Sequence, residues 1–197
     1  SSVANAKPNQ THFALARLEK RGLLSGIITQ NIDRLHQKAG HQKVIDLHGR
    51  LDRVQCLTCG KYECRYQLQS RLISLNPFLK NITAKLAPDG DACVEDTVTQ
   101  QINPVSCLSC DGILKPDVVF YGGSVAKQTH VATAQLYQQS QGILVVGSSL
   151  MVYSSYRFCK KARQDGKPLV IINRGKTRAD ELANYKLHYL CDILDAI

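Results

Sequence analysis

Two kinds of apolar pattern run along the 197 residues. Residues 10–21 set Phe13, Ala14, Leu15 and Leu18 among polar neighbours at helical spacing. Thr11 is the expected N-cap, and Gly22 is placed to stop the helix. Short continuous apolar runs follow: Ile27-Ile28 after Gly26, Val44-Ile45, Val118-Val119-Phe120, Ile143-Leu144-Val145-Val146 between Gly142 and Gly147, and Leu169-Val170-Ile171-Ile172 after Pro168. Between the last two, residues 153–164 read as a helix. β-Branched runs of strand length that alternate with helices predict an α/β domain: a parallel sheet covered by helices on both faces.

Residues 54–114 break this rhythm. A helical stretch over residues 67–86 is interrupted by Asn76-Pro77, and residues 87–104 are polar and turn-rich. The segment opens on Cys56-Leu57-Thr58-Cys59-Gly60 and closes on Cys107-Leu108-Ser109-Cys110-Asp111-Gly112. Two Cys-x-x-Cys pairs supply four thiolates to one tetrahedral zinc with no open position, hence a structural ion. The glycine after each second cysteine is expected to permit the turn. Residues 54–114 therefore read as a small zinc-binding module with a helical insert, set into an α/β domain made of residues 1–53 and 115–197.

Composition narrows the function classes. No apolar run approaches the roughly 18 residues of a membrane-spanning helix. Eight cysteines, four of them paired at metal-ligand spacing, point to a reducing compartment inside the cell rather than a disulfide framework. A net charge of +9 raises the possibility of an acidic partner. The basic residues are spread along the chain, however, and Tyr62 and Tyr66 stand almost alone between the cysteine pairs. A zinc-ribbon module that binds nucleic acid directly is therefore the weaker alternative.

The candidate chemistry lies where the strands end, since open α/β sheets bind ligands beyond their carboxyl ends. The exits read Thr29-Gln30-Asn31-Ile32-Asp33-Arg34, Leu47-His48-Gly49, Gly147-Ser148-Ser149-Leu150 and Asn173-Arg174. Singly, each is also explained by helix capping or a satisfied histidine. Together, in this order around four cysteines and with Lys115-Pro116-Asp117-Val118-Val119-Phe120-Tyr121-Gly122, they resemble the sirtuins, the NAD-dependent protein-lysine deacylases. The runs Leu47 to Val54 and Ser148 to Phe158 look most like class II sirtuins of the mitochondrial sirtuin-four type.

That resemblance implies a Rossmann-like sheet, NAD as co-substrate, acylated protein lysines as partners, one structural zinc and a mitochondrial matrix location. It implies that the acyl oxygen attacks the anomeric carbon of the nicotinamide ribose and that His48 then acts as general base on a ribose hydroxyl. The products are free lysine, nicotinamide and acyl-ADP-ribose. Asn31 and Asp33 would line the nicotinamide pocket and join His48 as catalytic residues. Gln30, Gly147, Ser148, Ser149, Asn173 and Cys191 would contact the rest of the NAD. Val119 and Tyr121 would flank the acyl-lysine, with the backbone at Gly122 pairing to an extended peptide. Mono-ADP-ribosyl transfer is a close variant of the same chemistry. The family's first strand and Gly-Ala-Gly phosphate loop would lie upstream of residue 1, so these 197 residues by themselves are expected to bind NAD weakly.

Overall fold

The computed structural model describes residues 6–82, 85–86, 92–93 and 96–188. In chain order the elements are α1 (Gln10–Lys20), β1 (Ile27–Thr29), α2 (Leu35–Lys38), β2 (Val44–Asp46), β3 (Gly49–Cys56), β4 (Tyr62–Cys64) and α3 (Arg65–Leu75). A 3-10 turn at Pro77–Asn81 precedes β5 (Lys85–Leu86), β6 (Ala92–Cys93), α4 (Asp96–Thr99) and β7 (Leu114–Val118). The chain continues through α5 (Lys127–Gln139), β8 (Ile143–Val146), α6 (Tyr153–Gln164), β9 (Leu169–Ile172) and β10 (Tyr185–Leu187). These elements form two compact units. One spans Gly49–Val118; the other joins Lys7–His48 to the chain from Val119 onward.

The second unit is the α/β layer. β1 and β2 pair in parallel, Ile27 opposite Val44 and Thr29 opposite Asp46. β8, β9 and β10 form a second parallel ribbon, with Val146 opposite Ile172 and Ile172 opposite Leu187. Alternate residues of β8 and β9 face opposite layers. Val145, Leu169 and Ile171 pack with Cys159 of α6, Leu150 and Ala179. Ile172, with Leu144 and Val146 beside it, packs against Ala14, Leu15 and Leu18 of α1, a cluster that also takes in Ile27 of β1. Both faces are therefore apolar, which is why these strands read as unbroken hydrophobic runs.

α1 is capped two residues earlier than expected. Asn9, not Thr11, accepts from the His12 backbone N–H at 3.1 Å, and the His12 ring returns the contact to the Asn9 N–H. The helix ends where Gly22 turns left-handed at φ +76°. The expected strand at 118–120 is displaced. β7 covers Leu114–Val118 and runs antiparallel to β3, outside the parallel sheet. Its Pro116 lacks an N–H, so only a lightly bonded edge position suits it. Beyond it the chain enters a turn that Gly123 closes by donating to the Phe120 carbonyl at 2.8 Å.

In the Gly49–Val118 unit, β3 is central, flanked by β4 and β7. Few apolar side chains are buried here; Val54 is the clearest. Polar contacts do more of the joining. Asn76, fully buried where α3 stops, donates to the Leu72 and Asn103 carbonyls at 2.9 Å each and accepts from the Asn103 N–H at 2.7 Å. Glu63 of β4 takes Arg71 of α3 at 3.0 Å and the Leu108 N–H at 2.9 Å. Asp117 holds Arg53, whose guanidinium lies 4.1 Å from the Tyr62 ring centre. At Gly49, φ is +85°, and a Cβ would meet the Asp117 carbonyl oxygen at 2.0 Å, so only glycine lets β3 start against β7.

Candidate active site and metal centre

The two knuckles bring Cys56, Cys59, Cys107 and Cys110 together, their four sulfurs all within 4.8 Å of one another. Cys56 lies 3.5 Å from Cys110, and Cys59 lies 3.8 Å from Cys107. Sulfurs at the corners of a tetrahedron with Zn–S bonds of about 2.3 Å are separated by about 3.8 Å, so the cage fits the ion. Backbone N–H groups already favour thiolate. The Cys59 N–H holds the Cys56 thiol down at about 6. Cys110 receives the Gly112 N–H, but the crowded Cys59 and Cys56 thiols outweigh it and push Cys110 up to about 12. Four negative sulfurs cannot coexist here without a cation, and a bound zinc supplies the charge that ties both knuckles.

The expected roles of the glycines split. Gly60 is left-handed at φ +73°, but at the second knuckle Asp111 takes that conformation at φ +54°. Gly112 is needed for space instead: a Cβ would meet Thr58 Oγ1 at 2.5 Å and Cys56 Sγ at 2.8 Å. Cys64 caps the start of α3, exposed and outside the cage.

The polar strand exits gather around His48. β1 delivers Gln30 and β8 delivers Ser148, whose hydroxyl donates to Gln30 Oε1 at 3.1 Å. Ser148 also accepts from the Leu150 N–H at 3.2 Å, which stabilises the left-handed turn at Leu150, φ +57°. Gly147 is left-handed at φ +62°, with open space where a Cβ would stand. His48 follows β2 and is half-buried. The Gln30 backbone accepts from its ring, and its Nε2 lies 2.7 Å from Ser154 Oγ in the first turn of α6. Burial lowers its pKa from 6.5, against the smaller opposing effect of the Gln30 carbonyl. The shift favours the neutral imidazole, whose unprotonated nitrogen carries a lone pair.

The other expected residues lie close by in sequence but are engaged differently. Asn31 directs its backbone N–H to Thr29 Oγ1 at 3.1 Å. Asp33 precedes the short α2, whose N-cap is Arg34, and accepts from the Leu35 N–H at 2.9 Å. Arg34, left-handed at φ +64°, pairs with Asp46, which also accepts from Gln37 at 3.1 Å. Asn173 closes its own turn by donating to the Gly175 carbonyl at 3.0 Å. Ser149 passes its backbone carbonyl to the Arg178 N–H at 2.9 Å. Val119 is tied to the site by its N–H, which donates to the His48 carbonyl at 2.9 Å. Tyr121 is fully exposed and Gly122 lies in the turn at φ +80°, so neither continues a strand. Cys191 lies outside the described residues.

Ser154 was not singled out by the sequence patterns, although it sits within the Ser148–Phe158 run. Its one visible signal is a hydroxyl residue in the first turn of a helix that follows a polar strand exit.

With this geometry in place, the comparisons with known proteins are decisive on family. Residues 1–154 match the model of the Sir2 family. The chain belongs to the Sir2 family. Among Sir2 relatives, a protein of Bradyrhizobium diazoefficiens named NAD-dependent protein deacetylase 2 is 48% identical over 188 residues, covering 95% of this chain and 68% of the relative. The NAD-dependent protein deacetylase of Xanthomonas axonopodis pv. citri is 47% identical over 186 residues, covering 94% of this chain and 64% of the relative. The chain thus spans about two thirds of the length of these relatives. Among solved structures, a Sir2 bound to acetylated peptide superposes with a TM-score of 0.77 at 28% identity, covering 99% of this chain and 71% of that one. A Sir2 with p53 peptide and NAD+ gives 0.76 at 29%, covering 99% and 70%. The Sir2 fold accounts for the Rossmann-like α/β layer and the four-cysteine unit alike.

Proposed function

We propose that this Sir2 chain removes acyl groups from protein lysine side chains with NAD as co-substrate, releasing nicotinamide and acyl-ADP-ribose. The observation that carries the reading is His48: a neutral imidazole held by the Gln30 carbonyl, with Nε2 engaged by a hydroxyl at the polar end of the sheet. The relatives named deacetylase, and the solved Sir2 structures with acetylated peptide and with NAD+, support it.

The residues present fit a dinucleotide's hydroxyls and carboxamide. Gln30 and Ser148 already share a hydrogen bond at the exits of β1 and β8, and Gly147 leaves room beside them. Asn31 and Asp33 offer the directional partners that a carboxamide needs. His48 Nε2 is the atom that accepts a proton from a ribose hydroxyl, and burial keeps it unprotonated at physiological pH. Val119, bonded to the His48 carbonyl, and the exposed turn at Tyr121 and Gly122 flank the place of an acyl-lysine peptide. Acyl transfer takes precedence over mono-ADP-ribosyl transfer because both named relatives carry deacetylase in their names. The four-thiol cage favours work in a reducing compartment. The class II resemblance extends that reading to a mitochondrial matrix.

The test is His48→Ala in the intact protein, assayed with an acetyl-lysine peptide and NAD. Product formation is expected to fall by about 10²-fold or more, the usual size of a lost general base. Exchange of labelled nicotinamide, which precedes the base-dependent step, is expected to survive better. Normal turnover by the variant would return His48 to a structural role.

A further inference from the structure

His48 presents its two ring nitrogens to two different kinds of partner. The Gln30 backbone carbonyl only accepts, so the nitrogen facing it carries the proton. In a neutral imidazole the other nitrogen, Nε2, is then an acceptor, and the Ser154 hydroxyl 2.7 Å away is its donor. The lone pair that a general base needs is thus held by a protein hydroxyl.

Ser154 is itself firmly placed. Its carbonyl accepts from Arg157 Nε at 3.1 Å, and Arg157 Nη2 reaches Thr133 Oγ1 of α5 at 3.3 Å. Thr133 is fully buried, and the Arg157 guanidinium lies 4.7 Å from the Phe158 ring centre. The first turn of α6 therefore has little freedom to carry the hydroxyl elsewhere. That hydroxyl also belongs to the first turn of a 12-residue helix, the end at which a positive charge is disfavoured.

We propose that Ser154 is a positioning residue for His48: its hydroxyl holds the imidazole in the tautomer whose Nε2 lone pair faces the substrate, and yields that lone pair to the ribose hydroxyl on binding. The proposal rests on the deacylase reading of the site. When the ribose hydroxyl enters, it replaces one O–H donor by another. The ring keeps its orientation, and the ribose hydroxyl passes its proton to Nε2, the O–H bond breaking as the N–H bond forms.

The charged groups nearby are otherwise occupied. On the β1 exit, Asp33 accepts from the Leu35 N–H and Arg34 pairs with Asp46 of β2. On α6, Arg157 is spent on Ser154 and Thr133. The Val119–Gly122 segment carries no charge. Loss of the hydroxyl is therefore the change that His48 would feel.

Three variants of the intact protein test this: S154A, S154T and H48A, each assayed for deacylation against pH. A hydrogen bond to the neutral ring disfavours its protonated form. S154A is expected to move the acid limb of kcat/KM up by about half to one pH unit and to lower kcat by about 2- to 10-fold, the range of one net hydrogen bond. S154T keeps a hydroxyl and is expected to return both towards wild type. Nitrogen-15 spectra of the His48 ring give its tautomer and titration directly, with or without turnover. A His48 ring that titrates identically in S154A and wild type overturns the proposal. If H48A is then inactive, the deacylase reading stands without it. If the ring shifts in S154A while the wild-type protein shows no turnover, the tautomer link stands and the deacylase reading is overturned.

Discussion

The Gly49–Val118 unit and the α/β unit reach order by opposite routes. The α/β unit buries two apolar clusters, one on each face of β8 and β9, where Leu169, Ile171, Ala179 and Ala14 are all about 1% exposed or less. Among its described residues the smaller unit buries little beyond Val54, Asn76 and the first cysteine of each pair, Cys56 and Cys107, and leaves Leu57, Leu108 and Ile113 more than 60% exposed. It relies on a thiolate cage, the Asn76 contacts and the Glu63–Arg71 pair. One region is stabilised by area removed from water and the other by a few specific partners. A perturbation that spares one should therefore injure the other.

Removing the metal is the most severe way to part them. Zinc affinity in such cages is about 10–16 kcal/mol and is folding energy. Chelation, or Cys107→Ala, is expected to abolish hydrogen-exchange protection in β3, β4 and β7 while protection in β8 and β9 persists. Metal analysis of freshly reduced protein should give one zinc per chain. Retained protection in β3 after chelation would remove the contrast.

The converse perturbation is Ile171→Ala. This side chain has no exposed surface, and its loss should destabilise the α/β unit by about 2–5 kcal/mol. Denaturant unfolding followed by probes in each unit should show the midpoint falling for β8 and β9, with the stoichiometry of bound zinc unchanged. Equal loss in both units would mean that the core supports both.

Acid gives the smallest and most selective effect. His36 sits among His12 at 4.7 Å and His41 at 5.3 Å between ring centres, and His36 Nδ1 has no partner among the described residues. Burial, with smaller contributions from His12 and His41, lowers His36 to about 4. The unfolded chain binds a proton near 6.5 and the folded one only near 4. This stabilisation is complete above pH 6.5 and is lost as pH falls towards 4. After discounting for solvent screening it is worth about 1 kcal/mol, or a Tm fall of about 2–4 °C between pH 7 and 5. His36→Gln should flatten that slope. An unchanged slope would locate the acid sensitivity elsewhere.

The larger unit was the more legible in sequence. Helix 153–164 and the strands at 143–146 and 169–172 were readable because burial on both faces writes an unbroken apolar run bounded by glycine or proline. The four metal ligands were readable because Cys-x-x-Cys spacing brings two sulfurs together within each pair; the β3–β7 pairing then joins the pairs. β3 was not. Gly49–Cys56 carries Arg50, Asp52, Arg53 and Gln55, and its pairing partner β7 lies about sixty residues away, so no local pattern announces it. Val118-Val119-Phe120 misled for a related reason: three apolar residues satisfy a strand pattern, but hydrogen bonds to β3 place the strand earlier. At the site, His48 was recognisable from its setting, whereas Ser154 depends on a contact across 106 positions of sequence.

Leu47-His48-Gly49 therefore carries two messages of different kinds. The histidine reports chemistry. The glycine reports backbone, because any Cβ there would collide with the Asp117 carbonyl at 2.0 Å. The two are separable by substitution: a change at His48 removes the imidazole and leaves the β3–β7 approach untouched, whereas a side chain at Gly49 strains that approach whatever residue stands before it.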